Sequence, residues 1–142
     1  MTDASEWAAL ESFSFGDSPE LAEELARLGL AGAKRATCWP LGEGPKTHVG
    51  KRWVMRDGAG IPAAVIETVE LTLRRFDEVD ESHAFAEGEG DCTLSYWREA
   101  HRRYFTRQGV FSPDMQLWCE RFRLVARLPA MALQTASEDG SQ

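Results

Sequence analysis

The stretch Pro62–Leu73 constrains the fold more than any other part of the sequence, because its β-branched residues favour a strand. It predicts one long β-strand whose successive side chains point to opposite faces of a sheet. The more apolar face would carry Val65, Val69, Leu71 and Leu73, with Glu67 among them. The opposite face would carry Ile66, Thr68, Glu70, Thr72 and Arg74.

Helix signals precede this strand. Asp17 or Ser18 can cap a helix N-terminus, Pro19 suits a first turn, and leucines then recur at helical spacing. We therefore expect a helix over residues 18–31. The other expected elements are strands over 35–40, 52–56 and 117–125, a helical start within the acidic stretch 76–91, and a helix over 94–108 capped by Thr93.

This order of elements does not repeat the βαβ unit, so it argues against a doubly wound parallel sheet. It predicts an α+β domain built on a small, mostly antiparallel, partly closed β-barrel with flanking helices. With 142 residues the chain has the size of one domain. We expect a helical extension over 1–12, the domain over 13–128 and a disordered tail over 129–142.

Charge and cysteine content narrow the function. A net charge of −7 argues against duplex DNA as a partner, although it permits a local pocket for one nucleotide or base. Three widely spaced cysteines without a CxxC pair predict reduced thiols in a cytoplasmic protein and no structural metal. No apolar run approaches the length of a membrane helix, and no phosphate-binding glycine motif indicates a nucleotide cofactor. The sequence does not indicate an oligomeric state.

Lys34 and Thr37 follow the first predicted helix, where the chain enters a strand. A lysine there can simply stabilise the helix C-terminus electrostatically. If Lys34 is buried, desolvation would lower its pKa and make it a base for the Thr37 hydroxyl group.

Carboxylates form the second set of candidates. Glu67 on an apolar strand face needs a partner, either Lys34 or an arginine, unless it lies exposed at the mouth of a barrel. Glu89 lies between Gly88 and Gly90, which permit positive φ or a close approach of the backbone to a ligand. An acid in such a loop is otherwise an ordinary solvated residue.

Basic and aromatic residues alternate on the predicted helix 94–108. Its arginines could bind single-stranded RNA, or they could form a solvated face; they are Arg98, Arg102, Arg103 and Arg107. The histidines are scattered along the sequence and indicate neither a catalytic triad nor a metal site.

Taken in order, several short motifs resemble an ASCH domain over roughly residues 13–126. They are FGDSPEL (15–21), LAGAKRAT (30–37), VGKRW (49–53), DGAG (57–60), IETVEL (66–71), FDEV (76–79), EGEGD (87–91), YWR (96–98) and CERF (119–122). The resemblance implies a PUA-like fold, a cleft lined by residues 32–37, and a link to RNA or modified nucleosides.

Some ASCH proteins are amidohydrolases that remove the acyl group of N4-acetylcytidine and related N4-acylcytosines. Their lysine, the threonine three positions later and the glutamate of the acidic loop correspond here to Lys34, Thr37 and Glu89, with Glu87 as an alternative to Glu89. Arg35 stands where the smallest of these enzymes carry threonine, which bears on substrate preference.

The implied reaction uses no metal. Thr37 would attack or position water, Lys34 would act as base near neutral pH, and Glu89 would orient Lys34 or protonate the leaving nitrogen. The substrate would be held by Trp39, Trp53, Glu67 and Arg35, with a tryptophan stacked on the pyrimidine. The alternatives are an RNA-binding module, a ribonuclease that uses the same cleft, and a binder of a free small molecule.

Overall fold

The computed structural model describes residues 7–128. Their strands are β1 (Ser12–Phe13), β2 (Ala36–Pro40), β3 (Arg52–Arg56), β4 (Pro62–Arg75) and β5 (Gln116–Arg127). Their helices of more than one turn are α1 (Pro19–Leu30), α2 (Glu81–Glu87) and α3 (Leu94–Arg107). Within this range no helix is long and apolar enough to cross a membrane.

The five described strands form one mixed sheet in the order β1-β3-β4-β5-β2. β1 runs parallel to β3, whereas the pairs β3–β4 and β2–β5 are antiparallel. The α+β class is therefore confirmed. The described strands form an open sheet, so the predicted closure into a mostly antiparallel barrel stays a prediction.

The chain divides into two compact units, and β4 and β5 pass through both. The first contains β1, α1, β3 and residues 62–67 of β4. Ser18 caps α1 by accepting a hydrogen bond from the backbone N–H of Leu21. The core of this unit includes Val54 and Val65.

The second unit comprises residues 33–50 and 68–122, and it holds β2, α2 and α3. Asp80 caps α2 and Thr93 caps α3, the latter as predicted. Its apolar core consists of Phe76, Val79, Ala84, Trp97, Phe105, Leu117 and Cys119. α2 contacts both α3 and β2. Arg35, just before β2, donates its backbone N–H to the carbonyl oxygen of Ala86 near the end of α2.

The predicted pattern of β4 is partly wrong. Val69 and Leu73, expected on a core face, are substantially exposed, whereas Thr68 on the polar face is fully buried. The reason is that Thr68 bonds a buried carboxylate, so its hydroxyl group is satisfied away from water. The helix expected over 1–12 falls largely, and the tail 129–142 entirely, outside the described residues; Trp7 and Ala8 are helical.

Gly88 ends α2 in the left-handed conformation, with φ of 73°. A Cβ atom here would overlap the carbonyl oxygen of Ala33, so only glycine lets the loop approach the segment before β2 this closely. The predicted close approach at this glycine is therefore to the protein's own backbone. It brings the acidic loop 87–91 alongside Lys34.

We expect Gly88→Ala to destabilise the protein more than Gly109→Ala. Both glycines have a positive φ, but nothing lies within 4 Å of a Cβ atom at Gly109. Gly109→Ala should therefore show only the backbone strain, about 1 kcal/mol, whereas Gly88→Ala adds an overlap of about 1–3 kcal/mol. Urea denaturation of both variants measures the difference, and equal losses would contradict the close approach.

Candidate functional site

Lys34 is a buried cation, 1% exposed, at the start of β2. Its Nζ donates to the carbonyl oxygen of Ala36 at 2.8 Å, to Glu89 Oε2 at 2.9 Å and to Glu87 Oε1 at 3.2 Å. An ammonium group has three N–H donors, so each of them is accounted for. The side chain is consequently held in one orientation.

The charge of Lys34 differs from the sequence expectation. Burial acts to lower its pKa, but the carboxylates of Glu89 and Glu87 together outweigh burial and raise it above the usual value. Lys34 is therefore protonated at neutral pH, which argues against the expected role of a base near neutrality. What the site contains is a fixed positive charge.

Glu87 is the buried anchor of this charge, also 1% exposed. Its Oε2 accepts hydrogen bonds from His83 Nε2 at 2.7 Å and Trp97 Nε1 at 2.9 Å. Its Oε1 faces Lys34 and, at 3.5 Å, His101 Nε2. Burial alone would raise the pKa of Glu87, but Lys34 and His101 lower it well below its usual range. Glu87 is thus ionised and surrounded by donors.

The ring of His101 is fixed on two sides. Its Nδ1 donates to the carbonyl oxygen of Trp97 at 2.9 Å, and the two rings stack with centroids 4.3 Å apart. Nε2 then faces Glu87, and although burial opposes it, Glu87 raises the pKa of His101. The interpretation of the histidines as scattered is wrong. The signal was the four-residue spacing of His83 to Glu87 and of Trp97 to His101 on helices.

Glu89 differs from Glu87 in its access to solvent. One of its oxygens receives the hydrogen bond from Lys34, yet the side chain is 17% exposed. Both glutamates contact Lys34, but Glu89 is the more exposed of the two, so it is the better placed to meet a substrate or a water molecule.

Thr37 lies on β2 and pairs in register with Glu120 of β5, while Cys38 pairs with Cys119. Side chains alternate along a strand, so Thr37 and Glu120 share one face and the two cysteines share the other. Trp39 falls on the face of Thr37. Its Nε1 donates to the carbonyl oxygen of Gly44, which fixes the ring. Glu120 was not among the candidate site residues predicted from the sequence, although it lies within the CERF motif.

Arg35 is exposed, and its guanidinium group lies 5.8 Å from the centre of the Phe85 ring on α2. Phe85 is itself 59% exposed. Arg35, the neighbour of Lys34 in the sequence, thus places a cation beside the exposed ring of Phe85 on α2.

Trp53 and Glu67 belong to the first unit. Trp53 packs edge-on against Phe13 at 5.9 Å. Glu67 Oε1 accepts from Arg52 at 2.9 Å and from Arg123 at 3.2 Å, and the hydrogen bond from Arg52 lowers its pKa. An arginine partner for Glu67 is therefore confirmed.

Within residues 7–128, two groups of side chains have potential metal ligand atoms within 4.8 Å of one another: Cys38, His83 and Glu87, and Glu87, Glu89 and His101. Burial raises the pKa of Cys38 well above its usual value, so its thiol stays protonated. In the second group, Glu87 and Glu89 already form ion pairs with the ammonium group of Lys34, and a metal ion would have to displace that group.

The arginines of α3 lie on its solvated face. Arg103 donates to Glu99 at 2.9 Å and Arg102 lies 3.8 Å from it, while Trp97 and Phe105 form the buried stripe. This pattern favours the solvated-face interpretation of the helix.

The fold is that of an α+β, PUA-like domain, and the ion-paired cluster around Lys34 is its candidate site. The sequence-family model for the ASCH domain matches residues 11–126, and the chain therefore belongs to the ASCH family. It is similar to the ASCH domain structure from Lactobacillus crispatus JV V101, with 32% identity and a TM-score of 0.77 over 87% of this chain and 84% of that one. A structure from Enterococcus faecalis V583 shows 34% identity and a TM-score of 0.73 over 84% and 82%. Among curated proteins, none matches this sequence.

We expect Glu87→Gln to lower the free energy of unfolding by about 3–5 kcal/mol at pH 7, because Lys34 loses its buried anionic partner and keeps only the partly exposed Glu89. Glu43→Gln removes an exposed partner of Lys46 and should cost less than about 1 kcal/mol. Chemical denaturation of the two variants gives both values.

The contribution of Glu87 to the stability of the fold depends on pH with a defined sign. The pKa of Glu87 is lower in the folded than in the unfolded state, so its contribution is present above the unfolded value, about 4.3, and is lost as pH falls through the folded value. The difference in the free energy of unfolding between the wild type and Glu87→Gln should therefore become smaller below about pH 4.3. Two results would contradict this role of Glu87. One is a difference in unfolding free energy that stays constant down to pH 3, and the other is a loss at pH 7 as small as that of Glu43→Gln.

Proposed function

We propose that the protein hydrolyses the exocyclic amide of N4-acetylcytidine or of related N4-acylcytosine nucleosides. The observation that carries the proposal is the hydrogen bond between Lys34 and Glu89, at the start of the strand that holds Thr37. These three positions correspond to the working residues of the amidohydrolase branch of the ASCH family.

Lys34 acts in this proposal as an electrostatic group. Attack on the amide carbonyl places negative charge on its oxygen, and a preorganised cation in a water-poor site stabilises that charge. Because Glu87 and Ala36 hold the side chain in place, the ammonium group needs little rearrangement when the charge develops. A protonated lysine suits this role better than the role of base.

Glu89 is the base of the proposed reaction. It is ion-paired with Lys34, and its partial exposure gives a water molecule access to its carboxylate. It would take a proton from the attacking water, which the hydroxyl group of Thr37 positions. The leaving group is an aminopyrimidine, which departs more easily than an alkylamine.

The substrate's ring would stack on Trp39, which shares the face of Thr37 and is fixed by its bond to Gly44. Arg35 would approach the sugar or phosphate side of the substrate. Substrate contacts by Trp53 and Glu67, and a cytoplasmic location, stay predictions.

Binding of single-stranded RNA is the second candidate. The exposed pair Arg35–Phe85 favours it, because an open aromatic ring beside a guanidinium group can stack a base and meet a phosphate. Cleavage of RNA in the same cleft would be a variant of this function. The net charge of −7 weighs against a broad electrostatic interface.

An absorbance assay with N4-acetylcytidine tests the proposal. We expect the wild type to form cytidine, and we expect Lys34→Met, Thr37→Val and Glu89→Gln each to lower kcat/KM by at least about 10²-fold. Arg103→Met removes an exposed cation from α3 and should leave the rate unchanged. Circular dichroism and denaturation confirm that each variant folds.

Two results would contradict the proposal. One is a wild type that converts none of several N4-acylcytosines. The other is a Lys34→Met protein that is folded and fully active. Salt-sensitive binding or cleavage of labelled single-stranded RNA by an otherwise inactive wild type would place the second candidate first.

A further inference from the structure

Glu120 on β5 is the buried carboxyl group on the face of Thr37, and the mechanism above does not use it. It is 6% exposed and lies directly opposite Thr37 in the register of β2 and β5. Opposed residues of an antiparallel pair have Cβ atoms about 4.5–5.5 Å apart on the same face. The side chain of Glu120 therefore starts beside the residue proposed to position water.

A chain of hydroxyl groups orients this carboxyl group. Thr68 Oγ1 donates to Glu120 Oε2 at 2.6 Å, and Thr47 Oγ1 lies 2.8 Å from Thr68 Oγ1. Since the hydroxyl proton of Thr68 is given to Glu120, Thr47 donates to Thr68. Oε2 is thus fixed as an acceptor, and Oε1 remains the oxygen that can carry a proton.

We propose that Glu120 is a further catalytic residue of the reaction proposed above, on which this inference rests: it is the general acid that protonates the leaving N4 nitrogen. Glu89 takes a proton from water as the oxygen–carbon bond forms. The carbon–nitrogen bond then breaks, its electron pair goes to N4, and N4 receives the proton of Glu120. Proton transfer from Glu89 through solvent restores both carboxyl groups, so water and amide give acid and amine.

The surroundings of Glu120 suit an acid. Two uncharged side chains face it: Thr37 lies opposite it on β2, and Thr68 of β4 donates a hydrogen bond to it. Thr47, from the β2–β3 connection, contacts Thr68, and Lys34 is the charged described group that acts on Glu120. Burial raises the pKa of Glu120, while the hydrogen bond from Thr68 and the charge of Lys34 act in the opposite direction with smaller effect. Lys34 meanwhile holds Glu89 in an ion pair. Two carboxyl groups in such different environments can divide the roles of acid and base.

The pH profile of kcat/KM for N4-acetylcytidine tests this assignment in the full-length protein. The acid must be protonated, so wild-type activity should fall as pH rises through the pKa of Glu120. Glu120→Gln should lower kcat/KM by about 10²–10⁴-fold and abolish this descending limb. Glu70→Gln, the same change at an exposed site on β4, should alter neither the rate nor the profile.

Thr68→Val supplies an independent readout. It removes the hydrogen bond that lowers the pKa of Glu120, so the descending limb should move to higher pH. A merely structural role would change the rate at every pH equally and leave the limb in place. An active wild type whose profile is unaffected by both substitutions would overturn the role of Glu120 alone. A wild type without hydrolysis would overturn the proposed function as well.

Discussion

The second unit depends on one buried positive charge. The ammonium of Lys34 lies away from water, and a charge there is costly unless it is paired and hydrogen-bonded. The last residue of α2 and the loop after it each supply one carboxylate, and β2 supplies a carbonyl oxygen. Trp97 and His101 of α3 hold Glu87. The placement of the acidic loop, the histidines and the start of β2 therefore follows from satisfying this one group.

The same requirement separates the roles of two neighbouring glutamates. Glu87 is saturated with donors in the interior, so it stabilises the cation and has little left to offer a substrate. Glu89 shares the cation but reaches solvent. A site that needs a fixed positive charge next to a usable carboxylate is thus built from two acids two residues apart, separated by the turn at Gly88. Thr37 and Glu120 add a second polar pair on one face of the adjoining strands.

Much of the fold could be predicted from the sequence, because most of its helices and strands depend on signals that are local in the chain. Ser18 and Thr93 cap helices by short-range hydrogen bonds, and the strand over 52–56 is followed by its own turn. The site was predicted only in part. Lys34 and Glu89 were paired through a family resemblance, but the raised pKa of Lys34 depends on two carboxylates more than fifty residues away. Thr68 and Glu120 could not be paired in advance, because their contact depends on which strands become neighbours.

The protonation state of Lys34 is the most direct test of this account. The chain has three lysines, so ¹⁵N NMR of the Nζ groups, with Lys34→Met for assignment, can follow this one alone. We expect Lys34 to remain an ammonium group as the pH is raised to about 10, near the usual lysine pKa. A Lys34 that loses its proton near pH 7 would contradict it and would restore the lysine as the base of the reaction.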